Sequence, residues 1–375
     1  MFEPSTAELR ARHTWKWLRY PPDVLPAWVA DMDFAPAPPI VAAIRRALER
    51  GDLGYPTIGA RSGVQNAFAA WAAARWGWAV DVDLVHLLPD VVKGLENAIE
   101  AFSAPGDAIA VPIPIYPPFL KVIDATGRTP APFRLGDDGT LGEAVDAIAR
   151  SSARVVLFCN PHNPTGHVFT AAELGTLGRV VAERDLILVS DEIHADLVYP
   201  GYTHRPFATV EPAVAARTLT LTSPSKAFNV AGLRLAVAIS GSPSIHDALF
   251  ALPDGRRHGV GTLGVEAALA AWSDEGRAWL DDCRRALLAR RDRVTTRLAT
   301  SIGYRPPEAT YLAWLDCRAL DLGVDPQQFF LERARVALSA GPDFGPPGAG
   351  FARLNFATAT AVLDEILDRL AAALA

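Results

Sequence analysis

Between about residues 107 and 240 the chain alternates short apolar or β-branched runs with amphipathic stretches, the texture of an α/β architecture with a mostly parallel sheet covered by helices on both faces. The runs at 108–111, 155–159, 186–189, 218–221 and 235–239 each end in a turn rich in Pro, Gly, Ser or Asn, and read as buried strands. Between the second and third, Thr170 and Glu173 make a Thr-x-x-Glu capping box, which starts a helix running toward Glu183 and completes a βαβ unit. Past Trp272 the pattern changes to arginine-rich helix over 276–298, a strand over 311–315 and a closing helix over 361–373. That change predicts a smaller α+β domain at 276–375, after a large domain at 45–275. The proline- and aromatic-rich segment 1–44 is expected to pack on the smaller domain through its first 34 residues.

Composition narrows the chemistry. Half of the 375 residues are hydrophobic, enough for a large core, and the formal charge of -6 comes without a concentrated basic patch, which disfavours nucleic acid and membrane surfaces as partners. The first 20 residues lack an apolar signal core, and no apolar run is long enough to span a bilayer; cytoplasmic residence is expected. Cys159, Cys283 and Cys317 are far apart and have no metal-site spacing. Lysine occurs only at Lys16, Lys93, Lys121 and Lys226, the rest of the 36 basic residues being arginine. Chemistry that needs a side-chain amine therefore has four candidates.

Ligands of open α/β sheets collect outside the carboxyl ends of the strands. The turns there hold Pro112-Ile-Pro-Ile-Tyr116, Asn160-Pro-His-Asn-Pro-Thr-Gly166, Ser190-Asp-Glu-Ile-His194 and Thr222-Ser-Pro-Ser-Lys226. Any one of these residues alone is ordinary turn chemistry. Together they bring an amine, a carboxylate and an amide to three neighbouring strand ends.

This set, with the spacings from Asn163 to Asp191 and from Asp191 to Lys226 and with Arg234 following Ser223-x-x-Lys226, resembles the fold-type I pyridoxal-phosphate enzymes of the class I and II aminotransferase family. The resemblance covers nearly the whole chain. It implies a mostly parallel seven-stranded sheet, pyridoxal 5'-phosphate as cofactor, Lys226 as its Schiff-base lysine and as the base at substrate Cα, and Asp191 as the ion-pair partner of the ring nitrogen. It places Tyr116 stacked on the ring, Asn163 on the ring hydroxyl, and His194 where many aminotransferases have tyrosine. The phosphate is assigned to the backbone at Val91 and Val92, to Ser223 and Ser225, and to Arg234. Asp90 stands where relatives often carry a small residue, and would repel the phosphate unless it caps the helix. Phe351-Ala-Arg-Leu-Asn355 resembles the segment whose arginine, here Arg353, grips the substrate carboxylate. Gly54-Tyr55 resembles the segment that reaches the partner's cofactor phosphate in a homodimer.

Four stretches are more similar to the bacterial cystathionine β-lyase and cysteine-S-conjugate β-lyase branch: Trp28-Val-Ala-Asp-Met-Asp-Phe34, Ser190-Asp-Glu-Ile-His194, Ser225-Lys-Ala-Phe-Asn229 and Thr310-Tyr-Leu-Ala-Trp-Leu-Asp316. The first is expected beside the substrate, with Ala30, Asn163 and Tyr55 joining Arg353 there. The activity implied is cleavage of L-cystathionine or a related conjugate to a thiol, pyruvate and ammonia. Transamination to a 2-oxo acid is the alternative, and Arg234 favours it.

Overall fold

The computed structural model describes residues 1–57, 59–256, 258–298 and 301–375. A seven-stranded sheet has the spatial order Val85–Leu88, Ala236–Ser240, Thr218–Thr222, Ile187–Asp191, Val155–Cys159, Ala108–Ile113, Thr129–Arg134. Ala236–Ser240 runs antiparallel to both neighbours, and every other adjacent pair is parallel. All five apolar runs are strands, with ends moved by at most two residues, and Val155–Cys159, Thr218–Thr222 and Ala236–Ser240 are buried along their whole length. The two strands without such a run are the sheet edges. Thr129–Arg134 carries Pro130 and Pro132 and is largely exposed, as only an edge tolerates, and Val85–Leu88 is four residues long.

Helix Ala171–Glu183 begins with both halves of the expected capping box: the Glu173 N–H donates to Thr170 Oγ1 at 3.2 Å and the Thr170 N–H to Glu173 Oε2 at 2.9 Å. Toward the C-terminus, Ser339–Ala340, Phe351–Asn355, Leu312–Asp316 and Gly303–Tyr304 form an antiparallel sheet in that order, accompanied by helices Asp274–Leu298 and Thr360–Leu374. The N-terminal segment joins this smaller unit. Leu25–Pro26 pairs in parallel with Val336–Ala337, and the Asn355 amide donates to the carbonyls of Val29 and Asp31, both at 2.7 Å. Lys16 is buried with its Nζ 2.8 Å from Asp33 Oδ2, and also donates to the Asp31 carbonyl. Residues 25–33 thus form a strap held at both ends. Helix Pro38–Arg50 runs unbroken through residue 44, so we propose that the N-terminal segment ends before Pro38.

One polar cluster ties the Asn160–Gly166 turn to the C-terminal unit. Gly166 adopts φ +73°, and a Cβ there would lie 2.4 Å from Pro307; its carbonyl accepts the N–H groups of Glu308 and Ala309, both at 3.0 Å. Beside it the buried His167 places Nε2 3.2 Å from Glu173 and Nδ1 3.0 Å from Glu308. Burial opposes charge on this imidazole, but the two carboxylates outweigh it and push the pKa up to about 9. A raised pKa means that the cluster stabilises the fold fully below about 6.5 and loses that contribution as pH rises through about 9. Thermal melts between these limits are expected to show a falling Tm that His167→Gln flattens; an equal slope in the variant would exclude His167 as its source.

Candidate active site

The carboxyl ends of the central strands meet the strap at a cavity of about 420 Å³. Asp191 ends Ile187–Asp191, in register with Cys159 on the next strand, and the turn beyond Cys159 carries Asn163. Thr218–Thr222 leads into Ser223, the N-cap of the short helix Pro224–Ala227 that presents Lys226. Lys226, Asp191, Asn163, Tyr116 and His194 all line the cavity, as does Ala30 from the strap. The other lysines are excluded by their surroundings. Lys16 is spent on Asp33, Lys121 is exposed, and Lys93 reaches the cavity wall but lies 2.6 Å from Glu96.

Burial drives the electrostatics. It pushes the Asp191 carboxyl up to about 7, against the Ile193 N–H that donates to it at 3.0 Å. Burial lowers the Lys226 pKa; the carboxylate of Asp31 opposes this, and the Arg353 cation adds to it. Lys226 Nζ donates to the Ala30 carbonyl at 2.8 Å, and the Tyr311 hydroxyl donates to the same oxygen at 3.1 Å. Asn229, three residues on, exchanges two 2.8 Å hydrogen bonds with the backbone of Met32, so the lysine segment and the strap are stitched together. His194 is held down to about 3 by burial and then by its cationic neighbours, which makes it a neutral imidazole; its Nδ1 is buried without a partner. Tyr116 is half-buried at the start of helix Pro117–Ala125, where burial raises its hydroxyl pKa and Arg353 opposes the rise.

Arg353 lies behind this group. Its Nη1 donates to Asn163 Oδ1 at 2.9 Å and its Nη2 to the Trp28 carbonyl at 3.1 Å and Ser339 Oγ at 3.2 Å, with the guanidinium carbon 4.9 Å from the centre of the Phe344 ring. Its Nε is buried and unpartnered. At the far end of the cavity are the first turn of helix Val91–Phe102, with Val91 and Val92, and then Ser223, Ser225 and Arg234. The Ser223 hydroxyl is turned into the fold, donating to the Leu235 carbonyl at 2.6 Å and accepting the Ser225 N–H at 3.0 Å. Asp90 is the helix N-cap. Tyr55 stays outside this chain's cavity, fully exposed at 103%, in a groove that shares Arg234 with it.

Three further residues contribute to the site: Tyr311 through its hydroxyl, Asp31 and Ser339. Tyr311 and Asp31 lie in stretches already singled out, but only the fold turns them toward Lys226. Ser339, on a two-residue strand, has no signal of its own.

The residues fit pyridoxal phosphate. A buried carboxylate with a raised pKa is stabilised by a cation such as a protonated ring nitrogen, the Lys226 amine matches the aldehyde, and unpaired first-turn N–H groups match a phosphate. Residues 29–370 match the Aminotransferase class I and II family. The chain is 39% identical to a cystathionine beta-lyase of Corynebacterium glutamicum over 99% of both chains. A PLP-dependent beta-cystathionase structure from Corynebacterium diphtheriae superposes with a TM-score of 0.94 at 38% identity, covering 100% of this chain and 99% of that one. The PLP-bound C-S lyase from Staphylococcus hominis gives 0.89 at 28% identity, covering 97% and 96%. The chain therefore belongs to the class I and II aminotransferase family of pyridoxal-phosphate-dependent enzymes.

Proposed function

We propose that this protein is a pyridoxal-phosphate-dependent carbon–sulfur β-lyase, cleaving L-cystathionine or a related cysteine S-conjugate to a thiol, pyruvate and ammonia. The observation that carries this is end-to-end similarity to cystathionine β-lyases, extending through the strap that places Ala30 against Lys226. Bound pyridoxal phosphate supplies the electron sink that makes a Cα–H bond labile. Asp191 keeps a proton on the ring nitrogen, because a charge pair there offsets the cost of burying its carboxylate. Lys226, its pKa lowered by burial, is the amine that takes the Cα proton. Arg353 fixes the substrate carboxylate, and Asn163 and the Trp28 carbonyl aim its guanidinium. Tyr116 and the uncharged His194, both on the cavity wall, would flank the cofactor ring.

The working assembly is a homodimer in which the partner copy's equivalent of Tyr55 completes the phosphate end. The exposed Tyr55 and Leu53 beside the Arg234 groove support this. Among the described residues no helix is long and apolar enough to cross a membrane. The three cysteines are free and buried, which suits a reducing cytoplasm.

Purified holoprotein given L-cystathionine is expected to release pyruvate and thiol with no 2-oxo acid present; product that forms only when a 2-oxo acid is added would replace the lyase with a transaminase. Lys226→Ala should lower the rate roughly a thousand-fold or more. Arg353→Lys, which substitutes a point charge for a planar fork, should raise KM about tenfold with a smaller change in kcat. An unchanged KM would remove Arg353 from the substrate carboxylate.

A further inference from the structure

Asp90 caps helix Val91–Phe102 on the cavity wall, and its two carboxylate oxygens are used differently. Oδ1 accepts the Lys93 N–H at 2.7 Å, while Oδ2 lies 2.8 Å from Arg234 Nη2. The neighbouring cations are also taken: Lys93 Nζ is 2.6 Å from Glu96, and Arg256 is 2.7 Å from Glu96 and 2.6 Å from Glu100. Arg234 and Lys93 on the cavity wall, and Arg256 beyond Glu96, thus each already face a carboxylate. Among the described residues of the cavity wall, the donors that remain are the N–H groups of Val91 and Val92, left unpaired at the start of the helix, and the Ser225 hydroxyl.

We infer that Asp90 weakens the hold of this chain on its cofactor's phosphate, because the dianion must share Arg234 with a carboxylate that also repels it. Two effects compete. Fixing the guanidinium favours phosphate binding, but the pair is solvent-facing, with the Arg234 side chain 57% and Asp90 32% exposed, and pairs of that kind contribute little. Solvent weakens the repulsion between the carboxylate and the phosphate as well, but that repulsion acts on a dianion where the pairing acts on a single charge, so the net sign is weaker binding. The cofactor is then retained chiefly through Lys226 and its ring contacts and exchanges more freely than the set of phosphate donors alone would imply.

This inference rests on the cofactor reading above, and its test separates the two. Asp90→Asn keeps an oxygen to cap the Lys93 N–H and removes the charge; Asp90→Ser does the same with a shorter side chain. Apoprotein of each is titrated with pyridoxal phosphate by its visible band, with inorganic phosphate by thermal shift, and with unphosphorylated pyridoxal as control. Both variants are expected to bind pyridoxal phosphate and phosphate about tenfold tighter, with pyridoxal unchanged. Equal or weaker phosphate binding in the variants, or pyridoxal tightened to the same degree, overturns the role given to Asp90. Wild-type apoprotein that develops no visible band with pyridoxal phosphate would instead overturn the cofactor reading, and this inference with it. Melting of each apoprotein verifies its fold, and the second substitution covers loss of the first.

Discussion

The constraint on which the site depends is the burial of two groups that water would otherwise keep charged: the Asp191 carboxyl at the end of a central strand and the Lys226 amine one turn into the helix after its neighbour. Desolvation pushes them in opposite senses, the acid up to about 7 and the amine down from its ordinary value. For Asp191 the shift from 3.8 to about 7 corresponds to about 4 kcal/mol of disfavoured charge, the amount a cationic ring nitrogen can offset. The sheet makes this possible. Its parallel middle strands Val155–Cys159, Ile187–Asp191 and Thr218–Thr222 are buried nearly throughout, and their carboxyl ends meet the strap at the cavity instead of open solvent.

The strap closes the other side. Ala30 offers a carbonyl to Lys226 and Tyr311, Met32 is bonded to Asn229, and Trp28 offers its carbonyl to Arg353, so alternate strap residues reach the lysine segment and the arginine strand. The strap is tied down at its far end by Lys16 and Asp33, buried as a pair, with Trp17 Nε1 donating to the other carboxylate oxygen at 2.7 Å. Removing one partner of such a pair leaves an uncompensated buried charge, at a cost of roughly 3–5 kcal/mol. The relative placement of amine and guanidinium is therefore anchored by residues that touch neither.

Much of this was legible in the sequence, and what was not has a physical reason. Central strands announce themselves through continuous apolar runs, and the capping box at Thr170 and Glu173 located a helix start to the residue. The edge strands lack that pattern for different reasons, Thr129–Arg134 because it is largely exposed and carries two prolines, and Val85–Leu88 because four residues are too short a run to stand out. Within the site, residues on the turns after apolar runs could be named, since position in the chain places them. Hydrogen-bond direction could not. That the Ser223 hydroxyl turns inward to Leu235, or that Asp90 both caps a helix and pairs with Arg234, depends on side-chain orientation and on partners more than a hundred residues away in the latter case.

The scarcity of lysine has a consequence at this site. Arginine keeps its charge across the working range, so Arg353, although burial pulls it down to about 10, remains a cation beside Lys226 and always favours the neutral amine. A lysine in its place could itself lose a proton, and each amine would then buffer the other. Asp31 acts in the opposite sense, and its own pKa is raised, first by burial. Beyond burial, the state of Lys226 is thus set by one fixed cation and by two carboxylates, Asp31 and Asp191, that can themselves take up a proton. As pH falls and Asp31 is neutralised, its support for a charged lysine fades while the arginine's opposition persists, so the amine resists protonation more than burial alone would require.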